Sequence, residues 1–227
     1  MKKREIQMSR MWTYFVDATA EIIEEEGMDK ITIRKVADRA GYNSATIYNY
    51  FTELSHLVFF ASMKFLKTYT EDVAIYMEKG KNPLEKYLLA WECFCKHSFK
   101  SPQIFHAIFI MDLGEHPEAL LEEYYKLYPN DLINIPDELK PILFERNMDK
   151  RGLSLLQAAA NEGKIKIENI DGINELTNLI WQGMLSNILN NRTHYNLEEA
   201  EKITMNYINE VVRNHQLFHL QKSNLKM

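Results

Sequence analysis

Apolar residues in this chain recur every three or four positions, and nowhere does apolar–polar alternation persist long enough to make a convincing strand. That period leaves one fold class, all-α. Turn material is scarce as well: eight glycines and six prolines serve 227 residues. A first helix is expected from about Ser9, its N-cap, to Glu26, with Phe15, Ala18, Ile22 and Ile23 inward and Gly27 as its stop. A second starts at a Thr32 cap, turns Ile33, Val36, Ala37 and Ala40 inward, and ends at Gly41. After the turn Gly41-Tyr42-Asn43 a short third helix reaches about Phe51, and a fourth runs from near Thr52 through Leu66. Longer helices follow over Pro83–Lys100, Pro102–Met111, Pro117–Leu127, Pro136–Glu162, Gly172–Asn190 and Leu197–Leu220. Four of these open on proline, where the missing N–H costs least.

A hydrophobic share of 46% with 26% charged residues is that of a globular chain of one to two domains. Cys93 and Cys95 stand two apart on an expected helix and point away from each other, so no disulfide is expected, in keeping with a reducing cytoplasm. The basic start MKKREIQMSR has no apolar stretch after it, and no apolar run approaches the roughly 18 residues of a membrane span. Neither a secretory signal nor a membrane partner is expected. The net charge of −5 is unevenly spread. Residues 1–70 hold ten Lys/Arg against nine Asp/Glu, and residues 71–227 hold seventeen against twenty-three. Such asymmetry permits a DNA-binding front end on an acidic body.

Helix, glycine-containing three-residue turn, short helix is the helix-turn-helix arrangement, whose second helix enters the major groove of DNA. At about 100° per residue, Ile47, Phe51 and Leu54 share the docking face of that second helix. Ala45, Thr46, Tyr48 and Asn49 then face outward, with Ser44 and Tyr50 on the flanks. Hydroxyls, an amide and a small methyl suit phosphates and base edges. Arg34 and Lys35 are placed to add phosphate contacts.

The segment FVDATAEIIEEEGMDKITIRKVADRAGYNSATIYNYFTELSHL resembles the N-terminal domain of the TetR/AcrR family of bacterial transcriptional regulators. Ala18, Gly27, Thr32, Ala37, Gly41, Thr46, Tyr48, Phe51 and Leu57 carry the likeness, over about residues 12–60. It implies a three-helix DNA-binding domain over residues 1–55, followed by a larger helical effector-binding and dimerisation domain over 56–227. The boundary itself falls within the fourth helix, between about 55 and 70. Thr32 and Arg34 would meet phosphates, and Asn43, Ser44, Ala45 and Thr46 would enter the groove. Tyr48 and Tyr50 would touch phosphates or base edges, and Lys2, Lys3 and Arg4 would form an arm along the DNA. One position departs from the family: the usual lysine three residues after Phe51 is here Leu54. That removes a phosphate contact and implies a shallower salt dependence, unless Lys64 or a terminal lysine substitutes.

The helix expected over Gly172–Asn190 is apolar over more than one stripe, and Gly183 would let another helix approach closely. A well-buried helix shares that pattern. The resemblance implies a four-helix homodimer interface, with Ile173, Leu176, Ile180, Gly183, Met184, Ile203, Tyr207 and Val211 as its residues. A dimer presents two reading helices about 34–36 Å apart, matched to a palindromic operator. Trp91, Phe94, Cys95, Phe105, Phe109, Tyr124, Tyr125, Leu155 and Trp181 are the candidate lining of a pocket for a hydrophobic or aromatic effector, although aromatics at helical spacing also build plain cores. His215 and His219 stand four apart with no third ligand in view, so no metal is expected, nor any cofactor. Hydrolase, zinc-protease, P-loop and dinucleotide motifs are absent, which argues against an enzyme. The expected function is a ligand-responsive, homodimeric DNA-binding repressor. The competing readings are a nucleoid or architectural factor whose body binds a protein, and an enzyme or carrier using the aromatic cavity.

Overall fold

The computed structural model describes residues 3–114, 117–132 and 145–224. Among them every regular element is helical. In chain order these are α1 (Lys3–Glu26), α2 (Ile33–Ala40), α3 (Ser44–Ile47), α4 (Leu54–Met63), α5 (Lys67–Glu78) and α6 (Pro83–Lys100). Then come α7 (Pro102–Phe109), α8 (Pro117–Leu127), α9 (Met148–Arg151), α10 (Leu153–Asn161), α11 (Ile170–Leu189) and α12 (Leu197–Asn224). Short 3₁₀ turns lie at Met28–Lys30, Lys64–Leu66, Pro129–Leu132 and Ile167–Asn169.

The helix ends follow local chemistry. Thr32 caps α2 by accepting from the Lys35 N–H at 3.2 Å. Gly41 ends α2 at φ 77°, in the left-handed region that a Cβ disfavours. Asn82 caps α6 by accepting from Glu85, with Pro83 as the first helical residue.

Three expectations change. Ser9 is not the start of α1 but an interior residue, its carbonyl accepting from the Thr13 hydroxyl at 3.0 Å. No breaker separates Lys3 from Ser9, so the helix runs back through good helix formers. The segment Lys67–Glu78, for which no helix is expected, is α5, held by buried Tyr69, Val73 and Met77 four residues apart. The expected helix Pro136–Glu162 has residues 136–144 outside the described part, and the remainder breaks at Gly152 into α9 and α10.

The chain forms two compact units. The first comprises Met1–Lys67 with Gln103–Asn134. Here α1 packs on α2 and α4, α2 on α3, and α4 on α8. Its centre is aromatic: Trp12 lies 4.5 Å from Phe51 and 4.7 Å from Phe60, ring centre to ring centre, and Phe60 meets Tyr124 at 6.0 Å. The second unit comprises Thr68–Pro102 with Ile135–Met227, where α12 lies along α6 and α11, and α10 packs on α6 and α11. Some of its buried polar side chains pair with one another. Trp181 donates to the Ser98 hydroxyl at 2.9 Å, and the Tyr87 and Thr177 hydroxyls meet at 2.8 Å.

Candidate functional site

The turn between α2 and α3 is built by side chains. Asn43 caps α3, its Oδ1 accepting from the Thr46 N–H at 2.9 Å and from the Thr46 hydroxyl at 3.0 Å. Regular helix lasts only over Ser44–Ile47, and hydrogen-bonded turns carry the chain on, with Tyr50 and Phe51 both donating to the Ile47 carbonyl at 2.9 Å. Ile47 and Phe51 are buried, and with them the segment is docked. Leu54 opens α4 and is half-buried.

What remains outside is a small polar face. Ala45, Tyr48 and Asn49 are exposed, Tyr48 to 59%, while Ser44, Thr46 and Tyr50 are half-buried. The Tyr50 ring leans on Phe15 at 5.9 Å, and the Tyr42 ring, in the turn, lies 5.5 Å from Phe15. Thr32 and Arg34 are exposed at the start of α2.

The basic residues divide in two. Arg34 is exposed and, among the described residues, is ion-paired with Asp38 alone, at 3.9 Å along its own helix. Lys35 is tied to Glu26 at 2.5 Å, and Arg39 to Glu25 at 2.7 Å, to Glu26 at 3.5 Å and to Glu21 at 3.6 Å. Glu25 and Glu26 of the acidic run, with Glu21, are therefore the counter-charge that joins α1 to α2. The hydrogen bond from Lys35 holds the Glu26 carboxyl below its ordinary range. Lys64 is likewise ion-paired, with Asp17. Lys2 lies outside the described residues, as do the side chains of Lys3 and Arg4.

A second candidate site lies within the second unit. A cavity of about 40 Å³ is lined by Tyr69, Tyr87, Ala90, Trp91, Phe94, Met148, Arg151, Gly152, Leu155 and Asn178. Of the nine expected lining residues, Trp91, Phe94 and Leu155 border it. Cys95 and Trp181 are buried in the same unit, the Trp181 ring 4.9 Å from Phe94. Phe105, Phe109, Tyr124 and Tyr125 belong to the first unit, where Tyr124 donates to Asp131. Burial pushes the Cys93 thiol up to about 12 and raises Cys95 as well, so both are protonated, unreactive thiols.

Arg151 and Asn178 were not anticipated from the sequence. Arg151 is buried, donates to the Tyr69 hydroxyl at 2.9 Å and to the Glu145 carbonyl at 3.0 Å, and stacks 5.3 Å from the Phe94 ring. Burial raises the Tyr69 hydroxyl above its ordinary range, an effect the guanidinium opposes. One signal for the asparagine was available: Asn174 and Asn178, four apart, share a face of the expected helix.

The expected interface residues sort by exposure. Ile173 is fully buried within its own unit. Leu176, at 43%, and Tyr207, at 52%, are exposed, as is their neighbour Leu179, at 57%. Ile180, Met184, Ile203 and Val211 are half-buried, and Gly183 is exposed with open space where a Cβ would stand. His215 turns its Nδ1 to the Val211 carbonyl at 2.7 Å, and the His219 side chain lies outside the described residues. Among the described residues no group of three His, Cys, Asp or Glu is placed to hold a metal, and no helix is long and apolar enough to cross a membrane.

Residues 15–58 match the family model described as bacterial regulatory proteins, tetR family. Among curated proteins none matches by sequence. The fold is similar to that of RolR, solved with resorcinol, at TM-score 0.60 and 16% identity, covering 92% of this chain and 89% of RolR. It is also similar to FadR from Thermus thermophilus, a TetR-family transcriptional repressor solved with lauroyl-CoA (TM-score 0.57, 13% identity, 88% and 94% covered). FadR from Bacillus subtilis, solved with stearoyl-CoA, gives TM-score 0.54 and 15% identity, with 88% and 97% covered.

Proposed function

We propose, from the match of residues 15–58 to the tetR-family model, that the chain is a transcriptional regulator of that family, a homodimeric repressor released from a palindromic operator by a hydrophobic or aromatic small molecule. In this reading residues 1–55 read DNA and residues 56–227 bind the effector and the second subunit. The protein acts in the cytoplasm and catalyses no reaction.

The observation that carries the reading is the division of labour within Ser44–Phe51. Two apolar side chains dock the segment, while Tyr48, Ala45 and Asn49 are held outward on it. The same unit exposes Tyr48 to 59% and leaves Arg34 exposed, its one ion pair a long one along its own helix surface. Arg34 and Thr32 supply phosphate contacts at the start of α2, and Tyr48 with the Thr46 methyl and Asn49 meets the groove.

The exposed apolar stripe of Leu176, Leu179 and Tyr207 supports the dimer, since such a patch on a helical pair is covered most simply by its own copy. The cavity beside Trp91 and Phe94 supports an effector site, and the solved relatives were captured with organic ligands of quite different size. Release follows if the effector prefers a state in which the two heads no longer fit both half-sites.

Selection of bound fragments from a random DNA pool tests the reading directly. A palindrome is the expected product, and Tyr48→Ala and Thr46→Ala should each weaken its binding roughly tenfold, the scale of one or two lost contacts. Unchanged binding by both variants would remove α3 from the interface.

A further inference from the structure

The effector class can be narrowed by Asn178, a residue of the cavity wall whose buried side-chain oxygen has no partner among the described residues. Asn178 is 2% exposed and lines the cavity. Its amide nitrogen is committed to the Met148 carbonyl at 2.9 Å, with Asp149 Oδ1 farther off at 3.4 Å. That commitment fixes which end of the amide is which, because a flipped amide would set oxygen against a carbonyl. Asn178 Oδ1 is thus a buried acceptor, and it has no hydrogen-bond partner. An unpaired buried carbonyl is costly to keep, so the site is built for something that donates to it.

The rest of the wall says what carries the donor. Four aromatic residues, Tyr69, Tyr87, Trp91 and Phe94, line the cavity, with Trp91 and Phe94 crossing at 80° and 5.7 Å between centres. Such a wall takes a flat ring by edge-to-face contact. The cavity, at about 40 Å³, holds a few waters and is smaller than the roughly 150 Å³ that admits benzene. A ring therefore enters only as the lining retracts, and Met148 and Leu155, carried on α9 and α10, are its flexible aliphatic members.

We propose that this cavity binds a small neutral aromatic compound bearing a hydroxyl donor, of which phenol is the simplest, with the hydroxyl donating to Asn178 Oδ1 and the ring seated among Trp91, Phe94 and Tyr87. The proposal rests on the effector-binding reading above and deepens it. Anisole and toluene have nearly the same shape and no donor, so each leaves Asn178 Oδ1 unpaired.

The test is titration of the full-length protein with phenol, anisole and toluene, followed by calorimetry and by tryptophan fluorescence, which Trp91 in the wall makes responsive. Phenol should bind roughly tenfold more tightly than either donor-free ring, the scale of one buried unsatisfied acceptor. In Asn178→Leu that preference should vanish while toluene still binds. Should the variant fail to fold, the wild-type comparison of phenol with anisole decides alone. Equal binding of phenol and anisole by wild type, as when a retained water serves Asn178, overturns the proposal. So does failure of all three rings to bind at millimolar concentration, or a phenol preference that survives Asn178→Leu.

The random-pool DNA selection separates this from the broader reading. An enriched palindrome released by some donor-free compound, with phenol inert, sinks the ligand class and leaves the regulator. Phenol binding with no DNA enrichment upholds the site and sinks the regulator.

Discussion

A methyl group added at Gly152 would stand 2.7 Å from Asn174 Oδ1 and 2.9 Å from Tyr87 Cε2, closer than any real contact. Neither neighbour can easily yield: Asn174 donates to the Asp149 carbonyl, and the Tyr87 hydroxyl is held by Thr177. Gly152→Ala should therefore cost about 1–3 kcal/mol, the usual scale of overpacking, read as a lower urea midpoint with unchanged slope. None of this is legible from the sequence, where Gly152 lies inside a helix expected to run on through it. The residues it opposes lie 22 and 65 positions away, at Asn174 and Tyr87. Tyr48 is the opposite case, since its outward position follows from Ile47 and Phe51 docking the same short segment. Leu54 carries a further consequence. It stands where the resemblance calls for lysine, and Lys64, the nearest substitute, is ion-paired with Asp17. Leu54→Lys should accordingly steepen the slope of log affinity against log salt by about 0.9, one phosphate contact, as measured by DNA titration between low and moderate salt.

Between elements, the joint of α1 and α2 combines a buried apolar seam with a surface set of charges. The seam, with Phe15, Ile22, Val36 and Ala37 buried, was legible because each helix shows a clean stripe. The ion pairs were not, because Glu21, Glu25 and Glu26 are separated from Lys35 and Arg39 by the Gly27 turn. Element α5 was missed for a related reason: its Thr, Val and Ile weaken local helix preference, and only packing of Tyr69, Val73 and Met77 restores it. The charges predict an acid response. The folded-state pKa of Glu26 is depressed, so its contribution is present above the ordinary carboxylate range and lost as pH falls through the folded value. Urea midpoints should decline from pH 5 toward pH 3, and Glu26→Gln should decline less steeply over that window. The difference should be small and should shrink in high salt, because the pair is solvent-exposed. An identical pH profile for the two proteins would show that the pair contributes nothing.

For the molecule as a whole, the proposed homodimer turns on α11 and α12. The sequence showed that α11 was too apolar for one core stripe, but not which residues were surplus. Periodicity cannot assign a face when apolar residues surround the helix, and the fold resolves it by burying Ile173, Trp181 and Leu185 while leaving Leu176 and Leu179 exposed. Gly183 lies on this helix, and a methyl group added there would meet nothing within 4 Å. Within one subunit Gly183→Ala should be stabilising by about 0.5–1 kcal/mol, the ordinary helix preference of alanine over glycine. Across a close helix–helix contact the same methyl would occupy the room a partner needs. The two effects have opposite signs and different concentration dependence. In sedimentation equilibrium Gly183→Ala should raise the dimer dissociation constant, while urea unfolding at concentrations too low for dimer should shift to a higher midpoint. Leu179→Glu, which places a charge on the exposed stripe, should yield a folded monomer with the same helical circular dichroism. That monomer should bind a single half-site and lose affinity for the palindrome. A Gly183→Ala protein that gains both unfolding midpoint and dimer affinity would move the interface off α11.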